Sequence, residues 1–207
     1  MYRAERNYEN LNKGIFQGEG PFDIPILRPE QCDVQDWISF NYAKTCDECS
    51  THGVHFFIDD YQFTRLWASP DLYLPMLRRF PAVMTPDFST YVDFPKVIQL
   101  YNHYRKHWLG AYWQYDGMLV IPTISWSTPE SFDWCFTGEP VGGCVAVSSI
   151  GSLNSGEGKR LFVDGYREMM DRLKPTQIIF YGTVPDGCGG NILNIKAFQD
   201  KFRKGRK

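Results

Sequence analysis

The sequence lacks the features of membrane and secreted proteins. It has no apolar run near the about 20 residues that cross a bilayer, and its start is too polar for a secretion signal. A charge of one sign is also missing, because 22 basic and 24 acidic residues leave a net charge of −2 and no overall attraction to nucleic acid or anionic lipid. We therefore predict a cytoplasmic protein that binds no membrane and keeps its six cysteines reduced.

Two well-defined motifs are incomplete. The loop 151–160, GSLNSGEGKR, has the two glycines of a P-loop, but Glu157 stands where that motif needs lysine. The alternative is a looser binding loop for phosphate or carboxylate, with Lys159 or Arg160 as a partner for the anion. His103 and His107 have the i, i+4 spacing of a metal-binding pair, but no glutamate stands between them. We interpret them as surface or boundary residues.

What the sequence has is a repeated unit, a short apolar strand followed by an amphipathic helix, seen best in the stretch 81–126. Five such strands are predicted, at 54–58, 82–84, 118–124, 144–149 and 177–181. Because parallel strands need crossover helices, we predict an α/β fold with a mostly parallel sheet, open or curled into a partial barrel. Residues 31–207 are expected to form a single domain, and the glycine- and proline-rich residues 1–30 an irregular extended arm.

Helices are predicted at 33–43, at 159–173, at 194–202 and over a long stretch after Pro95. In the long helix, the 3, 4 spacing of apolar and aromatic residues predicts a single buried face. Its members are Val97, Leu100, Tyr101, Tyr104 and Trp108.

Polar residues follow each predicted strand, and ligands of parallel α/β proteins bind beyond the carboxyl ends of the strands. We expect these residues to meet on one rim. Asp60 and Asp87 are the predicted catalytic residues, as acid/base groups or Mg²⁺ ligands. The predicted ligand contacts are Ser89, Arg105, Thr123, Trp126, Ser149, Ser152 and Tyr181. Any single Asp, Ser or Thr among them is equally well explained as a cap of the next helix.

Zinc is the other candidate metal. Cys46, Cys49, His52 and His55 place four potential zinc ligands within ten residues. The spacing of the two histidines is shorter than in the usual zinc finger, and His55 belongs to the strand predicted at 54–58. The alternative is an unligated polar loop with buried thiols.

Several short words of sequence, taken in order, resemble a known family. They are HFFIDDYQF at 55–63, TPDFS at 85–89, YR at 104–105, VIPT at 120–123 with Trp126, and IFYG at 179–182. Together they are similar to the family called domain of unknown function 4417, from about residue 20 to residue 182. The resemblance implies a protein of bacteria, their plasmids or their phages. It implies no activity and no catalytic residues, and Cys46 and Cys49 do not belong to the family's pattern.

Two hypotheses of function follow. The first is an enzyme or binding protein that takes a phosphate-bearing ligand, a nucleotide or nucleic acid, at the strand-end rim. The second is a non-catalytic protein that binds DNA or a host protein through its aromatic surface and the basic tail 201–207. A phosphate-binding tail would make DNA affinity depend on salt, and this property separates the two hypotheses.

Overall fold

The computed structural model describes residues 13–197. The chain enters as an extended arm in which β1 (Gly18–Glu19) and β2 (Ile24–Pro25) pair antiparallel. The turn between them requires a positive φ at Gly20 (70°) and at Asp23 (49°), a conformation that glycine and aspartate tolerate better than most residues. The Ile24 and Leu27 side chains of this arm are buried.

Seven parallel strands form a four-stranded and a three-stranded sheet, each in the order in which the strands occur along the chain. They are β3 (Asp36–Ser39), β4 (His52–His55), β5 (Val83–Met84), β6 (Val120–Ile121), β7 (Cys144–Ser148), β8 (Gln177–Tyr181) and β9 (Ile192–Ile195). A parallel bridge between Thr123 and Ala146 joins β6 to β7 and so connects the first four strands to the last three. The mostly parallel sheet predicted from the sequence is confirmed.

The sheet is curled. β4 and β8 are four positions apart, which in a flat sheet would separate them by about 19 Å. Instead, the ring centroids of His55 and Tyr181 lie 4.9 Å apart, and Phe57 stacks on the same tyrosine at 4.9 Å. Within the described residues β3 and β9 do not pair with each other, so the curl gives a partial barrel and not a closed one.

The helices of the described range are α1 (Phe40–Ala43), α2 (Arg65–Ala68), α3 (Pro70–Leu77), α4 (Lys96–Tyr115) and α5 (Gly156–Leu173). Short 3-10 turns lie at Asp60–Gln62 and Pro129–Asp133. None of these helices combines the length and the apolar character needed to cross a membrane. Helix α5 covers one face of β7 and β8, where Phe162, Tyr166 and Met169 pack against the alternate strand residues Val145, Val147, Ile178 and Phe180.

Two predicted helices are wrong where the structure describes them. The range 33–43 contains strand β3 and only one turn of helix, because Trp37 packs over Gly53 of the adjacent strand, where a side chain would collide with the indole. The helix predicted from Asn194 begins in strand β9 instead. The Asn194 side chain donates to the carbonyls of Phe180 (3.1 Å) and Gly182 (2.8 Å) and ties this strand to β8. Residues 198–202 of that prediction lie outside the described residues.

The buried face of α4 also differs from the prediction. Trp108 is buried, but Val97 is 68% exposed and Tyr101 is 37% exposed. The residues buried instead are largely polar: Gln99, Asn102, His103, Lys106, His107 and Gln114. This face is covered by the arm and by the loop around Thr137, whose backbone carbonyls accept hydrogen bonds from the helix side chains. Apolar periodicity cannot predict a helix face that is buried against hydrogen-bonding groups.

Candidate functional site

A cavity of about 640 Å³ lies beyond the carboxyl ends of β5, β6 and β7, within the size range of small-molecule sites. We call it the strand-end cavity. Its lining residues come from the segments that follow these three strands and from the first turns of α5: Asp87, Ser89, Thr90, Tyr91, Val92, Asp93, Ile124, Ser125, Trp126, Ser127, Thr128, Ser148, Ile150, Gly151, Ser152, Ser155, Glu157, Gly158, Leu161 and Phe162. Four residues predicted from the sequence therefore share one cavity, namely Asp87, Ser89, Trp126 and Ser152.

Asp87 is the carboxyl group of this lining whose pKa departs most from its ordinary value. Burial raises its pKa to about 7, Lys106 opposes the rise, and the Asp60 carboxylate adds to it. Thr85, two residues earlier, fixes the strand end: its hydroxyl accepts from the Thr123 backbone N–H at 2.8 Å, and its carbonyl accepts from the Thr123 hydroxyl at 2.8 Å. A carboxyl group with a pKa near neutrality in a cavity can take up and release a proton at physiological pH.

Asp60 acts on this site through Ser89. Its two carboxylate oxygens accept from the Ser89 backbone N–H (3.1 Å) and the Ser89 hydroxyl (2.8 Å). Asn102 of α4 donates to the Ser89 carbonyl at 2.6 Å. The segment that carries Asp87 is therefore held from two sides. Asp60 itself does not line the strand-end cavity, and the geometry makes it a residue that positions the loop.

Arg105 lies behind this loop and not in the cavity lining. Its guanidinium carbon is 3.6 Å from the centroid of the Phe88 ring, a cation–π contact, and its buried Nε has no hydrogen-bond partner in the described chain. Burial lowers the pKa of Arg105, while the nearby Tyr101 and Asp60 act in the opposite direction. The structure thus gives Arg105 a contact with Phe88, beside Asp87, and no direct access to the cavity.

The N-terminus of α5 opens into the same cavity. Ser155 caps the helix by accepting from the Gly158 N–H at 3.0 Å. Gly151 and Gly156 have open space where a side chain would be, so the backbone of this loop is accessible. The unpaired N–H groups and the dipole of an 18-residue helix favour an anion at this end. Among residues 13–197, the lining also holds three carboxylates, of Asp87, Asp93 and Glu157, and neither lysine nor arginine.

Trp126 forms part of the cavity wall and is held there by α5. Its indole N–H donates to the Leu161 carbonyl at 3.2 Å, and its ring packs against Phe162 at 5.3 Å. A Cβ on Gly165 would collide with the indole, so the glycine makes room for it. Tyr91, which is 60% exposed, and Phe162 also line the cavity, so its wall holds three aromatic side chains.

Three predicted ligand contacts have structural partners and do not line the strand-end cavity. Thr123 is bonded to Thr85, as described above, and its carbonyl accepts from Lys106 at 2.8 Å. The Ser149 hydroxyl donates to the Thr183 carbonyl at 2.8 Å, which joins the segments after β7 and β8. Tyr181 points into the curl of the sheet against His55 and Phe57. In the structure these polar groups connect strand ends.

Several cavity residues were missed by the sequence prediction. Ser148 is the last residue of β7, and Ser125 and Ser127 lie in the segment that follows β6. The Ser127 hydroxyl is buried and has no partner among the described residues, which marks a polar position facing the cavity. The run SWST at 125–128, with three hydroxyl side chains around Trp126, is the sequence signal for these residues.

The predicted zinc ligands do not converge. The Cys49 thiol donates to the Cys46 carbonyl at 2.8 Å and accepts from Arg79 at 2.8 Å. The His55 ring lies against Tyr181, inside the curl of the sheet. Across residues 13–197, no three of Cys46, Cys49, His52 and His55 bring ligand atoms together. The group that does so is His103, His107 and Glu139, all buried.

Comparison with known proteins gives a consistent family assignment. The model of the family described as "Domain of unknown function (DUF4417)" matches residues 16–199. The chain is 41% identical to the Gene 1 protein of Mycobacterium phage L5 over 194 residues, covering 93% of this chain and 85% of that protein. It is 36% identical to the Gene 1 protein of Mycobacterium phage D29, covering 93% and 72%. No solved structure matches the chain. The chain therefore belongs to the family named domain of unknown function DUF4417, as its sequence motifs indicated.

Proposed function

We propose that the protein binds a phosphate-bearing ligand, a nucleotide or the end of a nucleic acid, in the strand-end cavity. One observation carries the proposal: the N-terminus of α5 and the Asp87 carboxyl group open into the same cavity. The first favours the phosphate, and the second offers a proton acceptor or a metal ligand beside it. Trp126 and Tyr91 supply aromatic faces for a base.

The charge of the lining specifies the form in which phosphate would enter. The part of the lining that the structure describes has three carboxylates and no basic side chain, which would repel a free phosphate. We infer that the phosphate enters as its Mg²⁺ complex, with Asp87 as the protein ligand of the ion. Mg²⁺ suits this arrangement because it keeps several waters and commonly takes one or two carboxylates together with substrate phosphates.

The protonation of Asp87 makes this binding depend on pH. A pKa of about 7 means that both protonation states are populated near neutral pH in the free site. Only the ionised carboxylate holds Mg²⁺, so binding of the Mg²⁺ complex releases the Asp87 proton and tightens as pH rises through 7.

Calorimetric titration tests the proposal. The wild type is titrated with ADP and with a 5′-phosphorylated oligonucleotide, each with Mg²⁺ and with the metal chelated. We expect binding that needs Mg²⁺ and that weakens in Asp87→Asn by at least about tenfold, the scale for disturbing metal ligation. Asp171→Asn, an exposed aspartate on α5, is the matched control and should bind as the wild type does.

The competing hypothesis places nucleic-acid binding in the basic tail 201–207, which lies outside the described residues. Deleting this tail separates the hypotheses, since a tail-bound complex would lose affinity in a salt-dependent way, whereas the cavity complex would not. Absence of binding to the folded wild type, or equal binding by Asp87→Asn and Asp171→Asn, would overturn the proposal for the cavity.

A further inference from the structure

A second group of polar side chains lies on α4, outside the strand-end cavity. His103 and His107 stand on successive turns of the helix, and Glu139 reaches them from the loop after the second 3-10 turn. One ligand atom from each residue lies within 4.8 Å of the others. All three side chains are buried: their residues are 2%, 0% and 6% exposed. Together with Lys106 they form what we call the α4 cluster.

Each imidazole has one ring nitrogen directed at a backbone carbonyl. His107 Nδ1 lies 2.8 Å from the Pro25 carbonyl oxygen, and His103 Nε2 lies 3.0 Å from the Thr137 carbonyl oxygen. A carbonyl oxygen only accepts, so the proton of each neutral ring is on the nitrogen that faces it. The other nitrogen, Nε2 of His107 and Nδ1 of His103, then carries a lone pair. This arrangement is typical of metal-binding histidines, whose second nitrogen donates to a carbonyl.

Glu139 has one oxygen bonded and one oxygen free of partners. Oε1 accepts from Lys106 Nζ at 2.6 Å and lies 2.9 Å from His107 Nε2. Oε2 is buried and has no hydrogen-bond partner in the described chain. A buried carboxylate oxygen without a donor is costly. In addition, the lone pair of a neutral His107 and the carboxylate repel each other unless a proton or a cation lies between them.

We propose that His103, His107 and Glu139 bind a divalent transition-metal ion, with zinc as the chemical class that two imidazoles and one carboxylate favour. His103 offers Nδ1 to the ion, because its Nε2 faces the Thr137 carbonyl oxygen. Lys106 stays hydrogen-bonded to Glu139 Oε1, so Oε2 is the oxygen available to the ion. The positive charge of Lys106 makes the ion bind less tightly than in a site without a lysine. The ion would tie Pro25 of the arm and the Thr137 loop to α4.

Metal analysis of the purified wild type, prepared without a nickel-binding tag, tests this proposal. We expect about one equivalent of zinc per chain after growth with zinc, the stoichiometry of one three-ligand site. The variant His103→Gln should lose the metal. The double variant Cys46→Ser/Cys49→Ser, which removes the other predicted zinc ligands, should keep it.

Cobalt substitution keeps the test decisive if His103→Gln fails to fold. Cobalt bound to the wild type through nitrogen and oxygen ligands shows d–d absorption without the thiolate charge-transfer band that cysteine ligands produce. A thiolate band, retention of zinc by a folded His103→Gln, or a folded wild type that takes up neither zinc nor cobalt would overturn the proposal. In that last case a proton occupies the position between His107 and Glu139.

Discussion

The strand-end cavity and the α4 cluster both keep a carboxyl group away from bulk water, but only in the α4 cluster do adjacent cations balance the charge of that group. In the α4 cluster without a metal ion, burial alone would raise the pKa of Glu139, but the adjacent Lys106 and His107 hold it below its usual value. In the cavity, Asp87 has no such partner in contact among the described residues, and burial raises its pKa to about 7. A buried charge with its partners in place is tolerated in the fold, and removing one partner is costly. An uncompensated one, open to a cavity, is suited to act on a ligand.

The largest expected effect comes from removing Lys106, the cation that balances the Glu139 charge. Lys106→Met leaves Glu139 ionised or forces it to take a proton, and it removes the bond to the Thr123 carbonyl. In the metal-free protein, losing one partner of a buried ion pair costs roughly 3–5 kcal/mol. We expect this cost as a fall in the free energy of unfolding, measured with urea in the presence of a chelator. Lys159→Met, at an exposed lysine 3.7 Å from Asp186, is the control and should stay within about 0.5 kcal/mol of the wild type. A loss as small as the control's would show that the cluster is not compensated by Lys106.

The next effect concerns the pH dependence that Asp87 creates. Its folded pKa of about 7 lies above the ordinary value of 3.8, so between these values the native state holds more protons than the unfolded state. Stability therefore falls as pH rises from 4 to 7 and stays lowered above pH 7. Asp87→Asn should remove this loss and raise the free energy of unfolding at pH 8 by about 1 to 3 kcal/mol. This range is smaller than the full pKa difference implies, because Asp87 is only half-buried and water screens its charge.

Unfolding curves at several pH values measure this effect. Asp171→Asn, with an exposed carboxyl group, should keep the pH profile of the wild type. If Asp87→Asn were less stable than the wild type at pH 8, Asp87 would belong with Glu139 as a compensated structural charge, and the contrast between the two regions would be lost.

The smallest effect tests the charge of the ligand. Glu157 is an exposed carboxylate at the start of α5 that lines the cavity. Glu157→Gln removes one negative charge next to the proposed phosphate position, so the affinity for a nucleotide should rise by about two- to tenfold at low salt. Glu48→Gln, an exposed glutamate outside the cavity lining, is the control. A weaker affinity in Glu157→Gln would indicate a cationic ligand instead.

The sequence predicts where the cavity lies better than it predicts which residues line it. The carboxyl ends of neighbouring parallel strands meet at one edge, and this rule alone brought Asp87, Ser89, Trp126 and Ser152 together. It could not show that the hydroxyls of Thr123 and Ser149 donate hydrogen bonds to carbonyls of adjacent segments. Side-chain partners of this kind depend on the register between strands, which motifs and hydrophobic periodicity do not show.

The α4 cluster shows the same limit of prediction from sequence patterns. The spacing of His103 and His107 was visible, but Glu139 is contributed by a loop 32 residues after His107. The carbonyls of Pro25 and Thr137 that orient the two rings come from the backbone, which has no sequence signature. The apolar pattern of α4 favoured a different face. The polar face is buried because the arm and the loop supply its hydrogen-bond partners.

Hydrogen exchange with and without ADP and Mg²⁺ tests the central claim most directly, because it locates the ligand on the chain. The account predicts slower exchange at the N-terminus of α5, 151–158, and in the segments 85–93 and 124–128, with α4 unchanged. Protection confined to other parts of the chain, or no protection at ligand concentrations that saturate binding, would contradict the assignment of the strand-end cavity as the functional site.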